Sequence, residues 1–212
     1  MAASSGTAIH NTVEDLCNLD ISDRDEGEMG WLHSTAREAL ERNWKAERQE
    51  FLGTQRHPRW KSEMFSKAHD GLIGALGFLF EKAGLSKREL SEVSIQSWRQ
   101  VQDIVLETEA TLESDCGRMM GRLDLLLLDS ASSEGEVGWI VADLKTGRPP
   151  RSGLDEKVRR QLLFYRDLAK QRSPEQNSIT AEGWYSSNEK IYVAHGPSIL
   201  EEAIDAWGSM KV

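Results

Sequence analysis

Asp124, Asp143 and Lys145 are the residues of this 212-residue chain whose types and spacing could do chemistry. Asp124 opens an apolar run in Gly121-Arg122-Leu123-Asp124, and Asp143 nearly closes the next one in Asp143-Leu144-Lys145-Thr146-Gly147. If the two runs are strands paired antiparallel, the start of one lies beside the end of the other, and the carboxylates are neighbours across nineteen residues of chain. Such proximity is costly unless a cation fills the gap, and oxygen ligands favour Mg2+ or Mn2+ over zinc. The carbonyl of Leu144 adds a further oxygen, and Lys145, two residues past Asp143, projects from the same strand face. Its ammonium can orient a water or stabilise charge on a phosphate. The set suits metal-assisted hydrolysis of a phosphodiester.

Other residues could support that chemistry. Gln161 and Tyr165 are four apart in a helical segment, hence on one face. Arg122, Arg148 and Arg160 are bases that can meet phosphate. His69 stands on an apolar helix, where a lone histidine is more often packed or solvated than a ligand. Glu107 and Glu109 lie on a preceding strand, and either could approach a metal. His10, His33, His57 and His195 form no ligand-spaced cluster, which argues against zinc. No Walker-type phosphate loop and no Ser-His-Asp spacing is present.

The elements that must position these groups are legible from periodicity. Apolar residues recur at helical spacing over 30–53 (Trp31, Leu32, Ala36, Ala39, Leu40, Trp44, Phe51) and over 61–82, with His57-Pro58 breaking the chain between. Ser86 with Glu89 resembles a capping box for a short helix. Alternation over 104–113 predicts a strand with Ile104, Leu106, Thr108, Ala110 and Leu112 on one side. Strands over 121–129, with four consecutive leucines buried on both faces, and 138–145 follow after short connections, which suits an antiparallel meander. A loop at 147–153, a helix over 155–171, strands over 179–185 and 190–194, and a closing helix capped by Ser198 complete the chain. Residues 1–28 read as an acidic, mobile leader or a short peripheral element. The remainder, 29–212, reads as one domain, with a helical front over 29–100 and a catalytic core over 101–212.

Composition sets outer limits. The net charge of -9 argues against a whole-surface electrostatic grip on nucleic acid. From residue 143 to 172, however, nine bases face four acids, a local basic face for a polyanion. Two cysteines, Cys17 and Cys116, make no disulfide framework, so a reducing cytoplasmic setting is expected. The start lacks a signal-peptide pattern, and the longest apolar stretch is too short for a membrane span.

Together, Gly121-Arg122-Leu123-Asp124, Asp143-Leu144-Lys145-Thr146-Gly147 and Gln161-x-x-x-Tyr165 resemble the motifs of the RecB-like branch of the PD-(D/E)XK nuclease superfamily. The resemblance covers about 104–169 and extends more loosely to His69, where that branch often places a metal-ligating histidine. It implies an α/β fold: a central mixed β-sheet, largely antiparallel at its start, flanked by helices in a restriction-endonuclease-like core with an α-helical N-terminal part. It implies a DNA nuclease using Mg2+ or Mn2+, with His69, Asp124, Asp143 and the Leu144 carbonyl as ligands. Lys145 would be the catalytic lysine, and Gln161 with Tyr165 would support site and substrate geometry. Relatives with an iron–sulfur cluster need three late cysteines, and none follows Cys116, so no cluster is expected. DNA, single-stranded or as duplex ends, is the expected partner. No helicase motor is visible, so one would act from a separate chain or a further part of a longer protein. Two other readings remain: a binding or scaffold subunit that uses Trp31 and Trp44 as exposed partner surfaces, and a phosphoesterase acting on RNA or small nucleotides.

Overall fold

The computed structural model describes residues 2–54, 60–86, 89–129, 137–151 and 153–209. The chain packs as two compact units. The first comprises Met1–Ile104, Leu144–Pro149 and Tyr185–Lys190, and the second Val105–Asp143, Pro150–Trp184 and Ile191–Val212. No helix among the described residues is long and apolar enough to cross a membrane.

The first unit is built on helices α1 (Ala2–Cys17), α2 (Trp31–Gly53), α3 (Met64–Lys82) and α4 (Ile95–Ile104). Where the sequence suggested a mobile leader or a short peripheral element, the structure has helix α1, which buries Ala8, Ile9, Val13, Leu16 and Cys17. Its small and polar residues hide the pattern, because much of its anchoring comes from hydrogen bonds. Asn43 of α2 donates to Thr12 Oγ1 (3.1 Å) and Asp15 Oδ2 (2.9 Å), and the Trp98 indole of α4 donates to the Leu16 carbonyl (3.2 Å). Trp31 and Trp44, expected as exposed partner surfaces, are only 4% and 8% exposed. Trp31 meets Trp98 edge-on, and Trp44 packs against Trp60 and Phe65, so both belong to the core. The His57-Pro58 break lies outside the described residues. The start of the short helix expected after Ser86, residues 87–88, lies outside the described residues; a 3-10 turn at Leu90–Glu92 follows, then α4, whose first turn Ser94 caps by accepting the Ser97 N–H (3.1 Å).

Five strands form one sheet in the order β1-β2-β3-β4-β5: β1 (Val105–Glu113), β2 (Met120–Asp129), β3 (Gly138–Lys145), β4 (Ile179–Tyr185) and β5 (Lys190–Val193). The first three pair antiparallel, as the short connections predicted. Part of the β2–β3 loop, 130–136, lies outside the described residues. Between β3 and β4 the chain passes through helix α5 (Glu156–Arg172). Trp139 N–H then donates to the Ser178 carbonyl (2.8 Å) and Ser186 N–H to the Lys145 carbonyl (3.1 Å), so β4 runs parallel to β3. This is the mixed sheet, antiparallel at its start, that the resemblance implied.

The core of the second unit gathers Leu123, Leu126 and Val141 of the sheet against Tyr165, Leu168 and Ala169 of α5. Of the four leucines, Leu125, Leu126 and Leu127 are buried, as a strand covered on both faces requires, whereas Leu128 is only half-buried. Leu106 departs from expectation: it is 39% exposed because the β1–β2 register slips between Val105 and Glu107. The closing helix α6 (Leu200–Ser209) is not capped by Ser198. Asp167 of α5 takes the N–H groups of Ile199 (2.7 Å) and Leu200 (3.3 Å), and the Ser198 hydroxyl itself donates to that carboxylate (3.0 Å).

Candidate metal and phosphodiester site

Register assembles the acids. β2 and β3 pair Leu125 with Ala142 and Leu126 with Val141, which sets Asp124 across from Asp143. β1 and β2 pair Thr108 with Leu125 and Ala110 with Leu123, which sets Glu109 across from Asp124. Three carboxylates therefore run in a row over three adjacent strands. Oxygens of Glu109 and Asp124 lie within 4.8 Å of each other, and Asp143 is only 5% exposed.

Glu109 is the member that sequence left unresolved. Its φ of 50° is left-handed, a conformation that a non-glycine residue inside a strand adopts at a cost of order 1–3 kcal/mol. Glu109 and Glu107 accordingly have different partners. The Glu109 carboxylate takes the Arg122 guanidinium at 2.7 Å, whereas Glu107 is held by Arg172 of α5, whose hydrogen bonds depress its pKa. Alternating acids on a strand give no sign of such a kink, so only coordinates distinguish the two.

Helix α5 completes the group. Asp155 starts it, accepting the Lys157 N–H (2.9 Å), and its helical spacing carries Gln161 and Tyr165 to the sheet. The Gln161 amide donates to Tyr165 Oη (2.9 Å) and reaches Asp143 Oδ1 (3.4 Å), using both of its hydrogens. Burial pushes the Tyr165 pKa up; the Gln161 hydrogen bond opposes this, and Asp143, Asp124 and Glu109 add to it. Gly121 makes room for Tyr165: a Cβ there would stand 2.6 Å from Tyr165 Cε1. The glycine that opens Gly-Arg-Leu-Asp and the tyrosine that ends Gln-x-x-x-Tyr are one packing unit.

Lys145 ends β3, partly exposed, two residues beyond Asp143. Its backbone is held within the first unit. Ser186 donates its N–H to the Lys145 carbonyl, and the Ser187 hydroxyl donates to the Gly147 carbonyl (3.1 Å). Ser186 is braced in turn by α3, because a Cβ at Gly74 would lie 2.1 Å from the Ser186 carbonyl oxygen. Nothing in the sequence of the 186–189 turn announced that it anchors the lysine segment.

The remaining expected residues are less gathered. His69 is half-buried on α3 in the first unit. Arg122 is engaged by Glu109, Arg160 by Glu202 at 3.5 Å, and Arg148 is exposed. Much of the basic run is bracing. Arg159 binds Glu156 and the His195 carbonyl, Arg166 binds Asp167 and the Gly196 and Pro197 carbonyls, and Lys170 binds two further carbonyls.

The three carboxylates, one of them buried, offer the oxygen ligands that a hard divalent cation takes. A comparison with known families matches residues 1–207 to the PD-(D/E)XK nuclease superfamily, and the chain belongs to it. That superfamily hydrolyses phosphodiesters with divalent metals, the chemistry for which the donor set is suited. The match includes the N-terminal helices, well beyond the motif-bearing segment. None of the curated proteins matches the chain.

Proposed function

We propose that the protein is a RecB-like deoxyribonuclease dependent on Mg2+ or Mn2+, working in DNA repair, recombination, phage replication or defence. The observation that carries this reading is the row Glu109–Asp124–Asp143, with Lys145 two residues past the last acid on the same strand. Asp124 and Asp143, with the Leu144 carbonyl, are the ligands we assign, and Glu109 adds a third carboxylate. His69 is carried as a further ligand on the resemblance alone.

A bound divalent cation supplies Lewis-acid polarisation of the phosphate and a more acidic water. The side chains do the rest. Lys145 orients the attacking water and meets charge that grows on the phosphate oxygens in the transition state. Gln161 fixes the Asp143 carboxylate, and Tyr165, kept protonated by burial, holds Gln161. Arg148 and Arg160 bind flanking phosphates, and Arg122 orders Glu109. A motor protein on another chain could present the DNA end.

The test is cleavage of single- and double-stranded DNA, RNA and small phosphodiesters with and without Mg2+ or Mn2+, repeated for Asp143→Ala and Lys145→Ala. Lys145→Ala should lose about 10²–10³-fold in rate, the loss typical of removing one transition-state donor. Undiminished cleavage in both variants would sink the assignment, and turnover confined to RNA or small nucleotides would redirect it. Metal-independent DNA binding without turnover would favour a scaffold role.

A further inference from the structure

The first unit contains a cavity of about 360 Å³ whose wall includes Thr146, the residue after Lys145. Consecutive Cα atoms are about 3.8 Å apart, so this wall begins one peptide unit from the lysine. Ile9 of α1 and Met64 of α3 supply apolar surface. Ser186 supplies a hydroxyl that is 2% exposed and has no hydrogen-bond partner among the described residues. Asp70, Glu189 and Lys67, all exposed, complete the charged lining.

Resting on the nuclease reading, we propose that this cavity receives one unpaired nucleobase of the substrate strand. Charge decides against a phosphate there, since two carboxylates outweigh one ammonium. A base is neutral, flat and apolar on its faces, with donors and acceptors on its edge. Its exocyclic amine can donate to Asp70 or Glu189, as amines donate to acidic side chains in base readout. The Met64 thioether suits the ring face. The Ser186 hydroxyl, buried without a partner, gains one from the base edge; such orphaned groups are costly until satisfied. The volume lies at the small end of ligand-binding cavities and has room for a base. A base in a duplex is stacked and paired, so entry requires a single strand or a frayed end.

The experiment walks one modification along a single-stranded oligonucleotide. An abasic residue at one single position of the strand should slow cleavage roughly tenfold or more, within the range for losing one protein–base contact, while other positions have little effect. In a parallel, metal-free titration, 2-aminopurine at that same position should change its fluorescence on binding, and at other positions should not. Met64→Trp, which fills the cavity, should erase both signals, so that abasic and intact strands are cut at equal rates. Asp70→Asn, an exposed change that leaves folding intact, should weaken the 2-aminopurine signal and shift the preference among bases. Equal cleavage and equal fluorescence at every position would overturn the proposal. Because the fluorescence needs no turnover, base capture is tested even if no DNA is cleaved, a result that would instead remove the nuclease reading.

Discussion

Gly74→Ala separates placement of the lysine from stability of the fold. Gly74 is mid-helix in α3, where alanine would ordinarily gain about 1 kcal/mol. Its new Cβ would stand 2.1 Å from the Ser186 carbonyl oxygen, 3.0 Å from the carbonyl carbon and 3.3 Å from the Cα. All three are backbone atoms, so no side-chain rotation relieves the clash, and Ser186 must retreat. Overpacking of this kind costs about 1–3 kcal/mol, which the helix gain partly offsets. The net loss of stability is then about 2 kcal/mol at most, and the protein stays folded. The displacement is not offset. Ser186 holds the Lys145 carbonyl through its N–H at 3.1 Å, so the end of β3 moves with it. With the role proposed for Lys145, a misplacement near 1 Å costs about 10²-fold in rate. The assay pairs urea denaturation with steady-state DNA cleavage, and kcat should fall far more than the denaturation midpoint, with KM little changed. Gly53→Ala is the control, because a Cβ there meets nothing within 4 Å. Full activity with a gain of about 1 kcal/mol in Gly74→Ala would refute the close approach and the bracing drawn from it.

Two further outcomes test other parts of the fold. Burial pushes the Cys17 thiol from 9.0 up to about 12, whereas the hydrogen bond from Ser114 chiefly draws the exposed Cys116 thiol down. A thiol reagent at neutral pH should therefore modify one cysteine quickly and Cys17 only on unfolding. Above pH 9 the unfolded chain ionises Cys17 first, so stability should fall toward about pH 12 less steeply in Cys17→Ala. Rapid labelling of both thiols would refute the packing of α1. Asp167→Ala removes the acceptor for Ile199, Leu200 and Ser198, and should cost about 1–2 kcal/mol in denaturation with fraying of α6; an unchanged midpoint would contradict the cap.

The sequence was informative where one periodicity or motif carried the answer. The strands bearing Asp124 and Asp143, the antiparallel step between them and the helix bearing Gln161 and Tyr165 follow from local pattern. Local pattern failed where partners are distant. α1 takes hydrogen bonds from α2 and α4 and buries its apolar residues, and α6 is capped by a carboxylate from α5 rather than by Ser198 nearby. The indoles of Trp31 and Trp44 looked available as surfaces because a sequence does not reveal which aromatic rings pack on each other.

The sequence alone supplied the superfamily's motifs and the candidate acids, lysine and polar pair, together with the order in which strands deliver them. Tertiary structure alone decided that Glu109 rather than Glu107 joins the carboxylate row, because that choice rests on a left-handed kink and a register slip with no compositional signature. It alone explained Gly121 and Gly74, whose missing side chains are filled by Tyr165 and by the Ser186 backbone. It also showed the basic run largely occupied in bracing, since a charge is legible in one dimension and its partner only in three.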